Sequence, residues 1–291
     1  MADYHPSALK LQEQDLKDRV AVVTGATKGI GRAIALDLST RGCSILGTYS
    51  SPQSASNFDV LSHTISSLYS PDASPHAPNP SAPKLQGVAA DITSLPSVDS
   101  ILTALTQHFK GRKLNILVLN AAHNARPRLG TASEADITSS LIANLHWPIL
   151  LVENLVHRQL FAPNARVVLI SSDRVRDPSP GSSIFNATKA GLESLARSWA
   201  LELPLSFPGT TVNAVSVGLT DTPGLRAFPK PAVEKLKEER LKKVKVIEGG
   251  RMGFAEDVAD VVGWLVSDKA RWQTGSVVAA NGGAEYVGGS S

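Results

Sequence analysis

The segment SSIFNATKAGLES, Ser182 to Ser194, places a small residue, an aromatic ring, three further residues and a lysine at the head of a run fit for a helix. A cation beside a phenol lowers its pKa from about 10 and turns it into a usable proton donor. The ring here is Phe185, which can neither give nor take a proton, and Lys189 follows it. Ser172 lies 13 residues before Phe185, at the end of an apolar run, with Asp173 directly behind it. The tyrosines, Tyr4, Tyr49, Tyr69 and Tyr286, stand far from this segment, so none is an obvious substitute.

A second chemistry-bearing stretch is TGATKGIGRAIA, Thr24 to Ala35, which follows an apolar strand and opens a helix. Glycines at 25, 29 and 31 let the backbone approach a pyrophosphate, whose charge then meets the positive end of the helix. Cofactor contacts are expected from Gly25, Thr27, Lys28, Gly29, Ile30 and Gly31. A carboxylate at the end of the second strand would bind a ribose 2′-hydroxyl and repel a 2′-phosphate. GTYSSPQSAS has no acid before Asp59, Ser50 and Ser51 can donate to a phosphate, and Lys28 and Arg32 supply positive charge, which favours NADP over NAD.

The spacing Thr-Gly-x-x-x-Gly-x-Gly resembles the short-chain dehydrogenase/reductase family, and further motifs similar to that family's follow in order from about residue 19 onward. The resemblance implies adenine contacts from Asp91 and Ile92, and a cofactor-side signature at Leu119, Asn120, Ala121 and Ala122, two of whose four letters are changed. It also implies a nicotinamide-side turn in which Val217 replaces proline, a carboxamide contact from Thr222, and a closing strand at Ala280 to Gly283. In the family a serine holds the substrate oxygen, a tyrosine passes it a proton, a lysine grips the nicotinamide ribose, and an asparagine holds a water for the relay. Asn144, Ser172 and Lys189 match three of these, with Lys189 serving the cofactor as well, and Phe185 stands in register where the tyrosine belongs.

Loss of a positioned acid removes a factor typically ~10²–10⁴ in rate, so ordinary alcohol–ketone interconversion is expected to be slow. Three readings fit. The first is an NADP-dependent reductase of an imine, iminium or carbonyl, either on a substrate that needs no oxygen protonation, as an iminium does not, or with a different local acid; Asp173 has the best address for that acid, and His146 and His123 are further options. The second is a cyclase or isomerase acting by shape and charge without net redox; some family members, including a reductase/cyclase group in fungal indole-alkaloid pathways, have turned to cyclisation. Arg126 and Arg128 would anchor a polar substrate there. The third is an NADP-binding pseudoenzyme. Phe185, Arg126 and His146 are the expected substrate-facing residues.

These side chains need a scaffold. Continuous apolar runs predict strands at Val20–Thr24, Ser44–Thr48, Leu85–Ala90, Leu114–Leu119, Arg166–Ser171, Thr211–Ser216 and Ser276–Ala280. Helical spacing predicts helices at Ser97–Phe109, around Phe58 to Leu68, and from Ala187 to Leu203, where Pro204 is expected to stop the chain. Alternation of this kind means an α/β, Rossmann-like, doubly wound parallel sheet of about seven strands in a single domain. Residues 1–18 read as an N-terminal extension, 19–291 as the domain, and 69–84, with five prolines, as an exposed, partly disordered surface loop.

Composition sets outer bounds. Net charge of +3 is spread along the chain, and the basic run Glu234–Lys245 alternates with glutamates, so no nucleic-acid surface is expected. Cys43 is the sole cysteine, which rules out an internal disulfide or thiolate metal cluster. No apolar run reaches spanning length and the N-terminus lacks a secretion-signal core, so no membrane partner and a cytosolic location are expected. Substrate contacts should come from the loop after the fourth strand, from 173–183 and from the segment after Gly218, which suits a mid-sized organic molecule. The chain resembles fungal family members, many of which serve secondary metabolism. The family usually forms dimers or tetramers, so a homodimer or homotetramer is expected.

Overall fold

The computed structural model describes residues 8–70 and 80–287. Seven parallel strands form one sheet: β1 (Val20–Val23), β2 (Ser44–Tyr49), β3 (Leu85–Ala89), β4 (Leu114–Leu119), β5 (Phe161–Ile170), β6 (Thr211–Val217) and β7 (Val277–Ala280). Their order is β3-β2-β1-β4-β5-β6-β7, so the direction of winding reverses between β1 and β4. That reversal opens a crevice at the carboxyl ends of the strands.

The apolar runs do not alternate because both faces of the sheet are covered. Val20 and Val22 enter one core with α3 (Ser97–His108), α5 (Trp147–His157) and α6 (Ser183–Ser206). Ala21 and Val23 enter the opposite core with α1 (Gly29–Thr40), α2 (Ala55–Leu68) and α9 (Ala255–Leu265). No helix among the described residues is long and apolar enough to cross a membrane.

Two sequence expectations need correction. Helix α6 begins at Ser183 and runs through Pro204 to Ser206. A proline so close to the end removes one backbone bond, and the Phe207 amide still donates to the Leu203 carbonyl (2.8 Å), so the last turn survives. Strand β5 starts at Phe161, five residues before the expected Arg166, and Asn164 (φ +56°) lies within the register shift between the Leu114–Phe161 and Ile116–Arg166 pairs. Within the N-terminal extension, Leu16 is fully buried and Gln14 Nε2 donates to the Thr40 carbonyl (2.8 Å).

The proline-rich loop falls mostly on residues 71–79, outside the described residues. At its start Tyr69 is buried, its hydroxyl donating to the Ser39 carbonyl (2.8 Å). Between β4 and α5, α4 (Glu134–Leu141) runs through a π-turn at Ile142–His146. A π-turn inserts one extra residue and re-aims the side chains it carries.

Leu16→Ala is expected to cost about 2–5 kcal/mol of stability, the range for emptying a closed core position. Urea unfolding checks it; a loss below about 1 kcal/mol would place this segment outside the cooperative fold.

Candidate functional site

The glycine-rich loop joins β1 to α1 at the switch point. Gly25 (φ +70°) and Gly29 (φ +54°) take the left-handed conformation that side chains resist. At Gly31 space decides instead, because a Cβ there would collide with the Gly25 carbonyl. Thr24 ties the loop to β4: its hydroxyl accepts the amides of Asn120 (2.8 Å) and Ala121 (2.9 Å). Asn120 Nδ2 returns a bond to the Thr24 carbonyl (2.8 Å).

The loop fits a dinucleotide. Helix α1 starts at Gly29 with no side-chain cap and no acidic residue in its first turn, leaving its amides for a phosphate. Lys28 is exposed at the N-cap, Thr27 is buried in the loop, and Ile30 is half-buried. Thr222 lies across Gly29, within 3.5 Å of where a Cβ would stand, and its hydroxyl caps the short helix α7 (Pro223–Arg226). Ser50 is exposed at the end of β2. Asp91 is exposed, its carboxylate accepting from the Thr93 amide (2.9 Å), with Ile92 packed against the core. Val217 is buried as the last residue of β6.

Phe185 and Lys189 lie on the first turns of α6, both buried. Lys189 Nζ donates to the Ile170 carbonyl (2.6 Å) and stands 5.6 Å from the Phe185 ring centroid. From the loop after β4, the Arg126 guanidinium stacks over the same ring at 4.2 Å, a cation–π contact. Burial, then the charge of Arg126, pull the Lys189 pKa down to about 8. Burial, then nearby Arg174, pull Arg126 down to about 10.

Asn144 sits on the π-turn, and its side chain is fully engaged. Oδ1 accepts from the His123 amide (2.8 Å), and Nδ2 donates to the His123 carbonyl (2.9 Å) and to Thr188 Oγ1 (3.1 Å). It therefore clamps the loop that carries Arg126. Ser172 Oγ caps the 3-10 turn Asp173–Val175 by accepting from the Arg174 amide (3.2 Å). Asp173 is buried, with Oδ1 accepting from Ser216 Oγ (3.0 Å) and Asn281 Nδ2 (3.0 Å) on the β6–β7 side, and burial raises its pKa. His146 is exposed, and no hydrogen bond or ring contact among the described residues joins it to this cluster.

Sequence reasoning missed Arg174, which stands two residues after Ser172 within the 173–183 segment. It also missed the brace behind that loop. Arg176 grips Glu193 through two bonds (3.1 and 2.6 Å), and Ser171 Oγ donates to the same carboxylate (2.7 Å). The short offset from Ser172 was the available signal for both. Beside the cluster a cavity of about 370 Å³ is lined by residues 178–183, Asn186 and Arg128.

A family model described as Enoyl-(Acyl carrier protein) reductase matches residues 25–285. An L-xylulose reductase of Aspergillus niger is 30% identical, the match covering 94% of this chain and 99% of that protein. Among solved structures, a short-chain dehydrogenase from Burkholderia cenocepacia in complex with NADP superposes with a TM-score of 0.77 at 25% identity, over 93% of this chain and 99% of that one. The promiscuous reductase LugOII, which catalyses keto-reduction at C1 during lugdunomycin biosynthesis, gives 0.75 at 27% identity, over 93% and 99%. The glycine loop at the switch point, the lysine helix beside it and a match over nearly the whole chain agree: this chain belongs to the short-chain dehydrogenase/reductase family.

Proposed function

We propose that this chain is an NADPH-dependent reductase of a carbonyl on a mid-sized organic substrate, with Phe185 at the position the family gives to its tyrosine and Arg126 supplying the charge that the phenol would have managed. The observation that carries this reading is the guanidinium of Arg126 lying 4.2 Å from the Phe185 centroid, with Lys189 Nζ 5.6 Å from the same ring. NADP is supported by the uncapped α1, the acid-free end of β2 with Ser50, and the neighbouring Lys28 and Arg32. The NADP-bound relative from Burkholderia cenocepacia adds to that support.

When bound, the reduced nicotinamide supplies a hydride to the carbonyl carbon. What the protein contributes is electrostatic. Negative charge develops on the carbonyl oxygen, and preformed positive groups in a water-poor site stabilise it without reorganising. Ser172 Oγ donates to that oxygen, and Arg126 sets a fixed charge beside it. Lys189 holds the ribose end and, while protonated, adds to the field and replenishes the proton. Asn144 acts through the His123 backbone to hold the Arg126 loop in place. Asp173, bonded toward β6 and β7, positions the nicotinamide-side turn at Val217–Gly218.

The same charges rank the substrates. A cationic iminium beside Phe185 would meet the charges of Arg126 and Lys189, and like charges repel strongly where water is scarce. A carbonyl gains from the same field. Carbonyl reduction is therefore the favoured chemistry, ahead of imine reduction and of a cyclisation without redox.

Incubation of candidate ketones with NADPH should consume nicotinamide absorbance in step with alcohol formed; product without NADPH loss would overturn the reductase reading. Arg126→Met is expected to lower kcat about 10²–10³-fold, the scale of one oxyanion-stabilising donor. Phe185→Tyr is expected to raise reduction of a generic ketone by ~10²–10⁴, the worth of a positioned acid. A folded, NADPH-saturated Phe185→Tyr protein with no gain would show that the phenol position lies out of reach of the substrate. The rate should also fall as pH rises through about 8, where Lys189 loses its proton. Lys189→Arg stays charged and should remove that limb from the kcat profile; a wild-type profile flat to about pH 9.5 would exclude Lys189 as the titrating group.

A further inference from the structure

Between the end of β6 and the start of α9, residues 219–250 form a strap at the carboxyl ends of the strands. Its near end lies against the glycine loop: Thr222 Cβ and Pro223 Cδ stand 3.5 and 3.7 Å from where a Cβ on Gly29 would be. Backbone bonds fix this end, with the Asp221 amide donating to the Gly253 carbonyl (2.8 Å) and Thr220 bridged to Gly253. The far end is fixed at the C-terminal turn, where the amides of Lys245 (2.8 Å) and Val246 (3.1 Å) donate to the Gly282 carbonyl.

Between these anchors lie α7, α8 (Lys230–Arg240) and a 3-10 turn (Leu241–Lys243), and none of their residues is buried. A helical segment that buries no side chain gains little from the hydrophobic effect and depends on polar bonds to stay in place. Some of these bonds stay inside the strap, such as Arg226 with Asp221 and Lys237 with Glu234. Among the described residues, every hydrogen bond or ion pair that residues 223–243 make outside the strap ends on Asp177 or Glu285.

Asp177 receives most of them. Its carboxylate takes Arg240 and Lys243 Nζ (2.8 Å), and its carbonyl accepts from Arg240 Nη2 (2.9 Å). The Asp177 and Arg240 side chains are 19% and 13% exposed, so salt screens this pair less than an open surface pair. Lys243 Nζ also reaches Glu285 Oε1 (3.1 Å) on the C-terminal turn. The Asp177 amide donates to the Asp173 carbonyl (2.8 Å), which sets Asp177 on the loop that follows Ser172. Asp173 Oδ1 accepts from Asn281 Nδ2, which also donates to the Glu285 carbonyl (2.7 Å). Strap, C-terminal turn and Ser172 loop thus close into one ring of bonds, with Asp177 as the carboxylate shared by two cations.

We infer that Asp177 is the latch of a lid formed by residues 223–243, and that its release sets the rate at which the dinucleotide leaves the crevice. The lid joins the glycine loop to the loop after Ser172, the two walls of the cofactor site, so a dinucleotide enters and leaves past it. Held by charge and not by burial, it opens without disturbing either core. The inference does not depend on which substrate is reduced.

Hydrogen exchange on the full, cofactor-free chain tests the latch. An undocked helix of 11 residues does not persist in water, so exchange of the α8 amides reports undocking. Asp177→Asn keeps the shape and loses the charge; α8 amides should exchange about 10- to 100-fold faster, the scale of losing a charge-assisted bond. Amides of β4 to β6 and the melting temperature should hold. Asp177→Glu should keep most of the protection. Lys243→Met leaves the Arg240 pair and should give a smaller rise, about 2- to 5-fold, which also serves should Asp177→Asn fail to fold. Faster exchange confined to residues 173–183, or unchanged α8 exchange in the folded variants, would overturn the latch. Stopped-flow displacement of bound NADPH by excess NADP⁺ tests the gate: in Asp177→Asn, NADPH should leave faster by about the factor seen in α8 exchange. NADPH release at the wild-type rate, alongside quickened α8 exchange, would overturn the gating role.

Discussion

A lysine ammonium taken out of water must be satisfied by whatever surrounds it, and Lys189 is the point around which this site is arranged. It is 3% exposed, with a hydrogen bond to the Ile170 carbonyl and the ring of Phe185 nearby. Desolvation makes the ammonium easier to deprotonate, and Arg126 adds repulsion in the same direction. Both cations lie against the Phe185 ring, which itself has no proton to exchange. A phenol at the same place would have supplied a group able to take charge from the lysine. Its absence makes the local field more positive and less adaptable.

The fold supplies the rigidity such a field requires. Ile170 ends β5, between β4 and β6, with Ser171 and Ser172 following it at the carboxyl end of the sheet, so strand geometry fixes the carbonyl that receives Lys189. The π-turn in the α4–α5 helix presents Asn144 to the His123 backbone, and so joins helix to loop with two hydrogen bonds. Glu193, buried and doubly bonded by Arg176, pins the turn that carries Arg174. The carboxylate is buried while the Arg176 guanidinium stays a quarter exposed, so two bonds on a fixed acceptor hold the turn in place. Positive groups are thus held near each other by structure that is neutralised elsewhere.

Cofactor and substrate sides of the crevice are stabilised in different ways. On the cofactor side, the backbone does the work: glycine conformations, Thr24 bridging to Asn120 and Ala121, and Thr222 across Gly29. On the side of Phe185, long cationic side chains, Arg126 and Lys189, lie against the ring. This division lets a family keep one dinucleotide site while changing what it reduces, because side chains on loops can vary without disturbing the β1–α1 turn.

The sequence by itself determined the fold class, the strand succession and the glycine loop, because apolar runs and glycine positions are local signals of burial and backbone conformation. It also put Phe185 in register with Lys189 and Ser172. It misjudged the start of β5 and the end of α6, where a residue such as Asn164 or Pro204 is tolerated only because of its neighbours in space. Only the tertiary structure decided that Leu16 is core, that Asp173 is turned toward Ser216 and Asn281, and that His146 is exposed. It alone brought Arg126 over Phe185 and left Arg174 Nη1 buried without an acceptor. The reason is physical: whether a charge is paired depends on distances between residues remote in the chain, and no local pattern of residue types encodes those distances.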